Sequence, residues 1–558
     1  VSYQENYKKW LNNETLDSDL KKELLALKDE KDIEECFYQD LKFGTAGMRG
    51  ILGVGINRMN IYTVAKATLG LARFLIKNDQ QDQGVAIAYD SRIKSDVFAK
   101  VAARVLAANG VKVYLFDSLR PVPVLSFTVR YLKAAAGIVI TASHNPKEYN
   151  GYKVYGPDGG QMASTLADAL VKEIEAIDSC FGIALADEED PQIQIIPSAV
   201  DDAYAKAVEK IVKPHTGEPI KIIYTPLHGS GNIPVRRILK DLGYHNVSVV
   251  KEQELPDGHF PTVIYPNPEE KSVFTLAIQM AEKNGADIIF GTDPDSDRLG
   301  VVCRNSDGEY VVFTGNQTGA LMVDYLLKTR KWPDNKTIVK TIVTSELGAA
   351  IAKSYGADVV DVLTGFKYIG EQMTDYKKTG DRTFVVGYEE SYGYLSGDYA
   401  RDKDAVFAAA LVSEMAGYYK QKGMTLYDAL EALYDKFGYY NEGIQAIKFE
   451  GITGKSQIDA IMDKFRTHYF DHFADEQLIR FNDYQSSESM EAVHQQKTKI
   501  QLPKSNVLKF MFDQNSWYAL RPSGTEPKLK IYYSVVGKNR DEAGKKMEIL
   551  KAAVNAII

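Results

Sequence analysis

The sequence predicts an α/β protein of several domains with largely parallel sheets. Short apolar runs alternate with amphipathic stretches of helical period through most of the chain, and polar, glycine-rich turns follow the apolar runs. The chain is 558 residues long, well past the roughly 250–300 residues at which a single core stops growing. Hydrophobic residues make up 45% of it and charged residues 25%, an ordinary globular balance.

Residues 1–40 read as charged helix, because Tyr7, Trp10 and Leu11, then Leu20, Leu24, Leu25 and Leu27, recur at helical spacing. A glycine-rich turn, Phe43 to Gly50, follows. Val85 to Tyr89 is a short apolar strand. Ser95 to Asn109 is an amphipathic helix with Ser95 as its expected N-cap and Gly110 as its stop. Val111 to Phe116 and Ala134 to Ile140 read as further strands. A second unit starts near Lys221, with the strand Ile222 to Tyr224, a polar turn to Gly231 and a helix from Ile233 to Leu242. It returns through Ile288 to Phe290 into an aspartate-rich turn. A third starts near Thr314, with a helix, the strand Thr337 to Val343, a helix to Tyr355 and the strand Phe384 to Val386. The chain then changes character. A polar stretch, Tyr484 to Lys499, precedes a strand-like Lys530 to Val536 and a closing helix, and the last domain boundary is expected near Phe449–Gly454.

The formal net charge is -8 and the pI about 5.7, which argues against a nucleic-acid-binding surface and leaves room for a local basic pocket. Cys36, Cys180 and Cys303 are widely separated and form no CxxC pair, as fits a reducing compartment. No apolar run approaches the roughly 18–20 residues that span a bilayer. The N-terminal residues carry no signal-peptide pattern. The expected location is the cytoplasm, with no membrane partner.

Four polar clusters carry chemistry, and each follows or interrupts a strand. Thr141-Ala142-Ser143-His144-Asn145-Pro146 puts a serine hydroxyl at the end of an apolar run, a placement that suits a nucleophile. His144, Asn145 and Lys153 are close in sequence. A turn in which Ser143 caps a helix is the competing reading. No Gly-x-Ser-x-Gly elbow surrounds the serine, which argues against a lipase-like esterase. Asp293-Pro294-Asp295-Ser296-Asp297-Arg298 sets carboxylates at alternate positions. In an extended loop these point the same way and suit a hard divalent cation, Mg²⁺ above all. An EF-hand fails, because its glycine and glutamate positions hold Arg298 and Arg304. Gly387 to Gly393 offers Glu389 and Ser391 as readers of hydroxyls, or is a surface turn. Thr364-Gly365-Phe366-Lys367 and Lys403 are candidates to join it, Lys403 as a proton carrier if its surroundings lower its pKa. Arg521-Pro522-Ser523-Gly524-Thr525-Glu526-Pro527 combines a planar guanidinium, hydroxyls and a glycine turn suited to phosphate, or is a plain hairpin turn. Walker A and kinase glycine-rich motifs are absent.

Taken together, the set resembles the α-D-phosphohexomutase family. The matching pieces are Gly44-Thr45…Arg49-Gly50, Thr141 to Pro146, Thr225 to Gly231, Asp293 to Arg298, Glu389 to Ser391 and Arg521 to Pro527, in the family's order and across nearly the whole chain. The resemblance implies four domains around a central cleft, three related α/β domains with mixed, largely parallel sheets and a smaller C-terminal α+β domain. The expected divisions are 1–205, 206–313, 314–450 and 451–558. It implies a phosphoserine at Ser143, with His144, Arg49, Lys153 and Lys403 as catalytic groups. Mg²⁺ would sit on Asp293, Asp295, Asp297 and the Ser143 phosphate. Thr45, Arg298, Thr364, Gly365, Glu389, Ser391, Arg521, Ser523, Gly524 and Thr525 would contact the sugar phosphate. The implied reaction interconverts α-glucose 1-phosphate and glucose 6-phosphate through glucose 1,6-bisphosphate, which also serves as activator. Mannose or pentose phosphates are the alternative substrates. The partners are then sugar phosphates, and the assembly a monomer or homodimer. One departure stands out. Tyr392-Gly393-Tyr394 replaces the Gly-His of many hexose mutases, and resembles the branch of phosphopentomutases, glucose-1,6-bisphosphate synthases and bacterial α-phosphoglucomutases.

Overall fold

The computed structural model describes residues 2–44, 47–449, 454–523 and 528–558. Of the expected contacts, Thr45, Gly524 and Thr525 lie outside the described residues.

The N-terminal segment forms three short helices, Tyr3–Leu11, Ser18–Ala26 and Glu30–Phe37, where one charged helical stretch was expected. The breaks have local causes. Asp17 caps the second helix by accepting from the backbone of Asp19 and Leu20, and Asp29 caps the third by accepting from Lys31. Trp10, Leu20, Leu24 and Phe37 turn inward onto Val54 and Cys180, while Leu25, counted in the same stripe, is 63% exposed.

The first sheet holds β1 (Gly47–Ile51), β2 (Val85–Tyr89), β3 (Val113–Leu115), β4 (Ala136–Ile140), β5 (Tyr149–Tyr155) and β6 (Ile193–Ile195), in the order β1-β5-β4-β2-β3-β6. β4, β2, β3 and β6 run parallel, and β5 and β1 add an antiparallel edge. The second sheet, β11-β10-β9-β7-β8, holds β7 (Ile222–Thr225), β8 (Val247–Val249), β9 (Ile288–Thr292), β10 (Leu299–Arg304) and β11 (Tyr310–Val312). The third, β13-β12-β14-β15, holds β12 (Lys336–Thr341), β13 (Asp358–Val362), β14 (Thr383–Glu389) and β15 (Gly393–Leu395). β2, β4, β7 and β9 read in sequence as unbroken apolar runs because helices cover both their faces. Ser95 is not the cap that its position before a helix implies. Lys94 occupies the N-cap position of the helix Ser95–Ala108 without a side-chain capping bond, and the buried Ser95 hydroxyl donates to Asp90 Oδ1 at 2.8 Å.

The fourth sheet is antiparallel throughout. It begins with β16 (Tyr439–Lys448), which pairs along its whole length with the strand Lys528–Gly537. β16 precedes the expected division at 450 and yet pairs in the fourth sheet. It was not legible as a strand because it holds one buried residue, Tyr440, among half-buried and exposed ones and no apolar run. The segment Tyr484 to Lys499, read as merely polar, supplies the edge strands Glu488–Glu491 and Lys497–Lys499.

One continuous core runs through the first three domains. It joins Val139 of β4, Ile222 and Phe290 of the second sheet and Val385 of β14 around the helix Ala405–Lys420, which is apolar and buried on nearly every side. The fourth domain has its own core, built on Phe465, Phe510, Tyr518 and Ile531. It meets the third through a smaller cluster in which Trp517, Ala519 and Tyr532 pack on Ile342, Val343 and Leu363.

Candidate active site

β4 is buried along its full length and delivers the chain to Thr141 and Ser143 at the sheet's C-terminal end. The turn is sharp. Ser143 has φ 51, in the left-handed region, and its N–H donates to Thr141 Oγ1 at 2.8 Å. No helix follows, so Ser143 is not a cap. Its hydroxyl donates to Asp293 Oδ2 at 3.0 Å and lies 3.2 Å from His144 Nδ1. Burial, with Arg298, Arg49 and Arg92 nearby, holds the His144 imidazole well below its usual pKa, so it is neutral at neutral pH.

β9 delivers the aspartates. The loop is a tight turn with Ser296 at φ 52, not the extended segment expected, and that turn makes the carboxylates converge. Asp293, Asp295 and Asp297 are at most 1% exposed, and a ligand oxygen from each lies within 4.8 Å of the others. The backbone N–H groups of Asp297 and Arg298 donate to Asp293 Oδ1 at 3.2 and 3.0 Å. Burial and its two acidic neighbours push Asp293 far above the ordinary carboxylate range. Asp295 Oδ1 and Asp297 Oδ1 are buried and accept no hydrogen bond among the described residues. Three converging carboxylates with orphaned oxygens fit a hard divalent cation, which would remove the desolvation penalty these atoms otherwise carry.

Cations ring this set. Lys153 on β5 reaches Asp295 Oδ2 at 3.1 Å and Asp297 Oδ2 at 3.8 Å. Lys403 lies 2.9 Å from Asp297 Oδ2. Burial alone would lower the Lys403 ammonium, but Asp297, Asp402 and Glu389 outweigh it and hold it above its ordinary pKa. The condition set for Lys403 as a proton carrier, a lowered pKa, is not met: in this arrangement it is a fixed cation. Arg298 pairs with Glu269 and lies 4.0 Å from both Asp293 and Asp297. Arg49, on the edge strand β1, donates to Asn145 Oδ1 at 2.8 Å and so flanks the serine turn.

The third domain contributes the turn after β14. Glu389 Oε1 accepts the Gly365 N–H at 2.9 Å, and Thr364 Oγ1 beside it is buried with no hydrogen bond among the described residues. Burial, with Glu390 adding to it and Lys403 opposing it, pushes the Glu389 carboxyl up to about 7. Glu390 is turned inward, accepting from Thr341 and Thr344 at 3.1 and 3.2 Å. Ser391 is half-buried next to it. The Tyr392 carbonyl accepts from Leu299 N at 3.0 Å, which ties this turn to the aspartate loop. From the fourth domain comes Arg521, on the strand Trp517–Pro522. Beside it Ser523 N donates to Lys528 O at 2.7 Å.

Three sequence profiles match the chain: "Phosphoglucomutase/phosphomannomutase, alpha/beta/alpha domain I" at residues 40–180, domain II at 202–308 and domain III at 314–437. The chain belongs to the phosphoglucomutase/phosphomannomutase family. It is 38% identical to a phosphoglucomutase of Staphylococcus saprophyticus over 97% of this chain and 98% of that one. It is 37% identical to a phosphoglucomutase of Staphylococcus aureus over 93% and 94% of the two chains. Its fold is that of two more distant solved structures. One is parafusin, a phosphoglucomutase of Paramecium in an open form, with TM-score 0.70, 16% identity and 93% and 95% of the two chains covered. The other is a phosphoglucomutase/phosphomannomutase family protein of Burkholderia thailandensis, with TM-score 0.68, 18% identity and 92% and 97% covered.

The site of this family member also holds residues that sequence reasoning passed over. Lys530 stands cross-strand from Arg521 and is half-buried. Burial and the charge of Arg521 pull its ammonium below the ordinary range. The alternation Lys528-Leu529-Lys530 next to the phosphate motif was the available signal. Glu269, Asp90 and Arg92 had no such signal, since each acts through contacts distant in sequence.

Proposed function

We propose that the chain is a phosphoglucomutase that interconverts α-glucose 1-phosphate and glucose 6-phosphate through phosphorylated Ser143 and a glucose 1,6-bisphosphate intermediate. The observation that carries this reading is the Ser143 hydroxyl, 3.0 Å from Asp293 Oδ2 on a buried acidic trio. It is joined by full-length relatives that bear the phosphoglucomutase name. Asp293, Asp295 and Asp297 would hold Mg²⁺, which when bound supplies positive charge next to the transferring phosphoryl group.

The chain's own residues do the rest. Arg49, Lys153 and Arg298 flank Ser143 and neutralise charge on the phosphoryl group as it moves. Neutral His144, in the tautomer protonated at Nδ1, donates a hydrogen bond to the serine oxygen or to its phosphate. Glu389, near the middle of its titration at neutral pH, takes a proton from the attacking sugar hydroxyl and returns it. Arg521, Ser523 and Lys530 grip the phosphate that is not being transferred, with Gly524 and Thr525 as further contacts. Because both phosphates of the intermediate must use the same two sites in turn, the sugar is held by few contacts and the charge by many.

The test supplies purified protein with Mg²⁺, a trace of glucose 1,6-bisphosphate, and glucose 1-phosphate, mannose 1-phosphate or ribose 1-phosphate in turn. The expected result is the highest kcat/KM for glucose 1-phosphate, an added phosphate on Ser143 by intact mass, and negligible release of inorganic phosphate. Steady phosphate release with no isomer formed would make the protein a phosphatase and sink the reading.

A further inference from the structure

We propose that Arg92 is a positioning residue for phosphoryl transfer, one that fixes the direction in which the Ser143 hydroxyl leaves its turn. This rests on the reading of Ser143 as the phosphoryl acceptor. Arg92 follows β2 in the loop that starts at Asp90, and its side chain is fully buried. Its guanidinium collects backbone carbonyls from the whole serine turn. One terminal nitrogen donates to Ser143 O at 2.6 Å and to Asn145 O. The other donates to Pro146 O at 2.8 Å and Tyr149 O at 3.1 Å. These four carbonyls span the turn from β4 to the start of β5, where the one backbone bond from Tyr149 N to Pro146 O at 3.1 Å accompanies them, and a single planar fork ties all four together.

The guanidinium is itself held. Its Nε lies 3.4 Å from Asp90 Oδ2. Asp90 also accepts from Arg92 N at 2.9 Å, Ser95 Oγ at 2.8 Å and Thr141 Oγ1 at 2.7 Å. Thr141 in turn accepts the Ser143 N–H and lies 3.1 Å from Asp295 Oδ2. Asp90 and Arg92 thus grip the serine turn at both ends and link it to the metal loop. From the second domain, Phe260 lays its ring 5.1 Å from the guanidinium carbon. Gly258 there packs so close that an added Cβ would sit 2.4 Å from Ile93 N. Ser143 keeps a left-handed φ that a serine rarely adopts, and such a conformation persists only where its surroundings over-determine it. Arg92 touches the Ser143 carbonyl, not the reacting oxygen, so it acts by placement alone.

The test compares Arg92→Lys and Arg92→Ala with the wild type. Lysine keeps the charge but cannot span carbonyls spread over two nitrogens. We expect Arg92→Lys to lower kcat about 10- to 100-fold, with KM for glucose 1-phosphate within about twofold. The backbone amides of 143–149 should exchange faster with solvent while those of β4 and β5 keep their protection. Guanidinium salt, but not methylammonium, should restore about tenfold of the lost kcat in Arg92→Ala. A kcat for Arg92→Lys within twofold of wild type overturns the proposal. So does a rise in KM matching the fall in kcat, or loss of the native fold in both variants, since Arg92 would then serve the fold rather than the turn. Intact mass of the wild type after exposure to glucose 1,6-bisphosphate separates the two readings. No phosphate at Ser143 removes the acceptor itself, whereas phosphate at Ser143 with an unimpaired Arg92→Lys removes only the role of Arg92.

Discussion

Ser143 and Lys403 touch different members of the same acidic trio, Asp293 and Asp297, and their removal should act on it differently. Ser143→Ala deletes the proposed acceptor and leaves Asp293 without its hydroxyl donor. Turnover should fall at least about a thousandfold with the thermal unfolding profile unchanged. Full activity in this variant would rule out a covalent route. Lys403→Met deletes a cation 2.9 Å from Asp297 and leaves the trio more negative. Divalent-ion affinity measured by calorimetry should then rise while kcat falls about 100-fold. A weaker Kd for the ion would show that Lys403 shapes the loop rather than competing with the metal for charge. Both residues were visible in the sequence, one in a motif and one in a charged run, but the direction of the Lys403 pKa was not. Direction depends on which carboxylates the fold brings near, and Asp297 comes from another domain.

Secondary elements were legible where burial is two-sided and lost where it is not. β2, β7 and β9 stood out as apolar runs because helices cover both faces. β16 escaped because its residues alternate between half-buried and exposed, and the turn that ends at Asp297 escaped because no residue in it demands left-handed backbone. Arg92 was invisible for a different reason. Its partners are carbonyls, which every residue has, so no side-chain pattern betrays the contact. β16 also carries Glu442, whose Oε1 is buried without a hydrogen bond among the described residues and whose carboxyl is pushed up to about 7 by burial, against a smaller lowering by Ser345. An acid whose folded pKa exceeds its unfolded value binds a proton in the native state that the unfolded chain has already lost. Its contribution therefore falls as pH rises from about 4.5 to 7 and stays low above that. Glu442→Gln should remove this dependence, so that the unfolding temperature of the variant gains on the wild type as pH climbs through that window. A difference that stays constant across pH 4.5–8 would place the carboxyl in solvent.

At the scale of the molecule, the first three domains share one core around the helix Ala405–Lys420, and the fourth keeps its own and meets the third through a small cluster. Ser143 and the aspartates belong to the shared block. Arg521 belongs to the separate one. Arg521→Ala should consequently raise KM about tenfold or more while lowering kcat less, because in its proposed role it would hold a phosphate equally in ground and transition states. Initial-rate measurements over a range of glucose 1-phosphate decide the point, and a kcat loss at constant KM would move Arg521 to the transferring phosphate. The place of β16 in the fourth sheet has a heritable side. Among the described residues backbone crosses from block to block once, between the helix Leu426–Phe437 and β16, and β16 then pairs along ten residues with the strand Lys528–Gly537. A lineage can therefore alter the proposed phosphate clamp by changes confined to the tail of the gene, while the serine and aspartate loops are inherited intact.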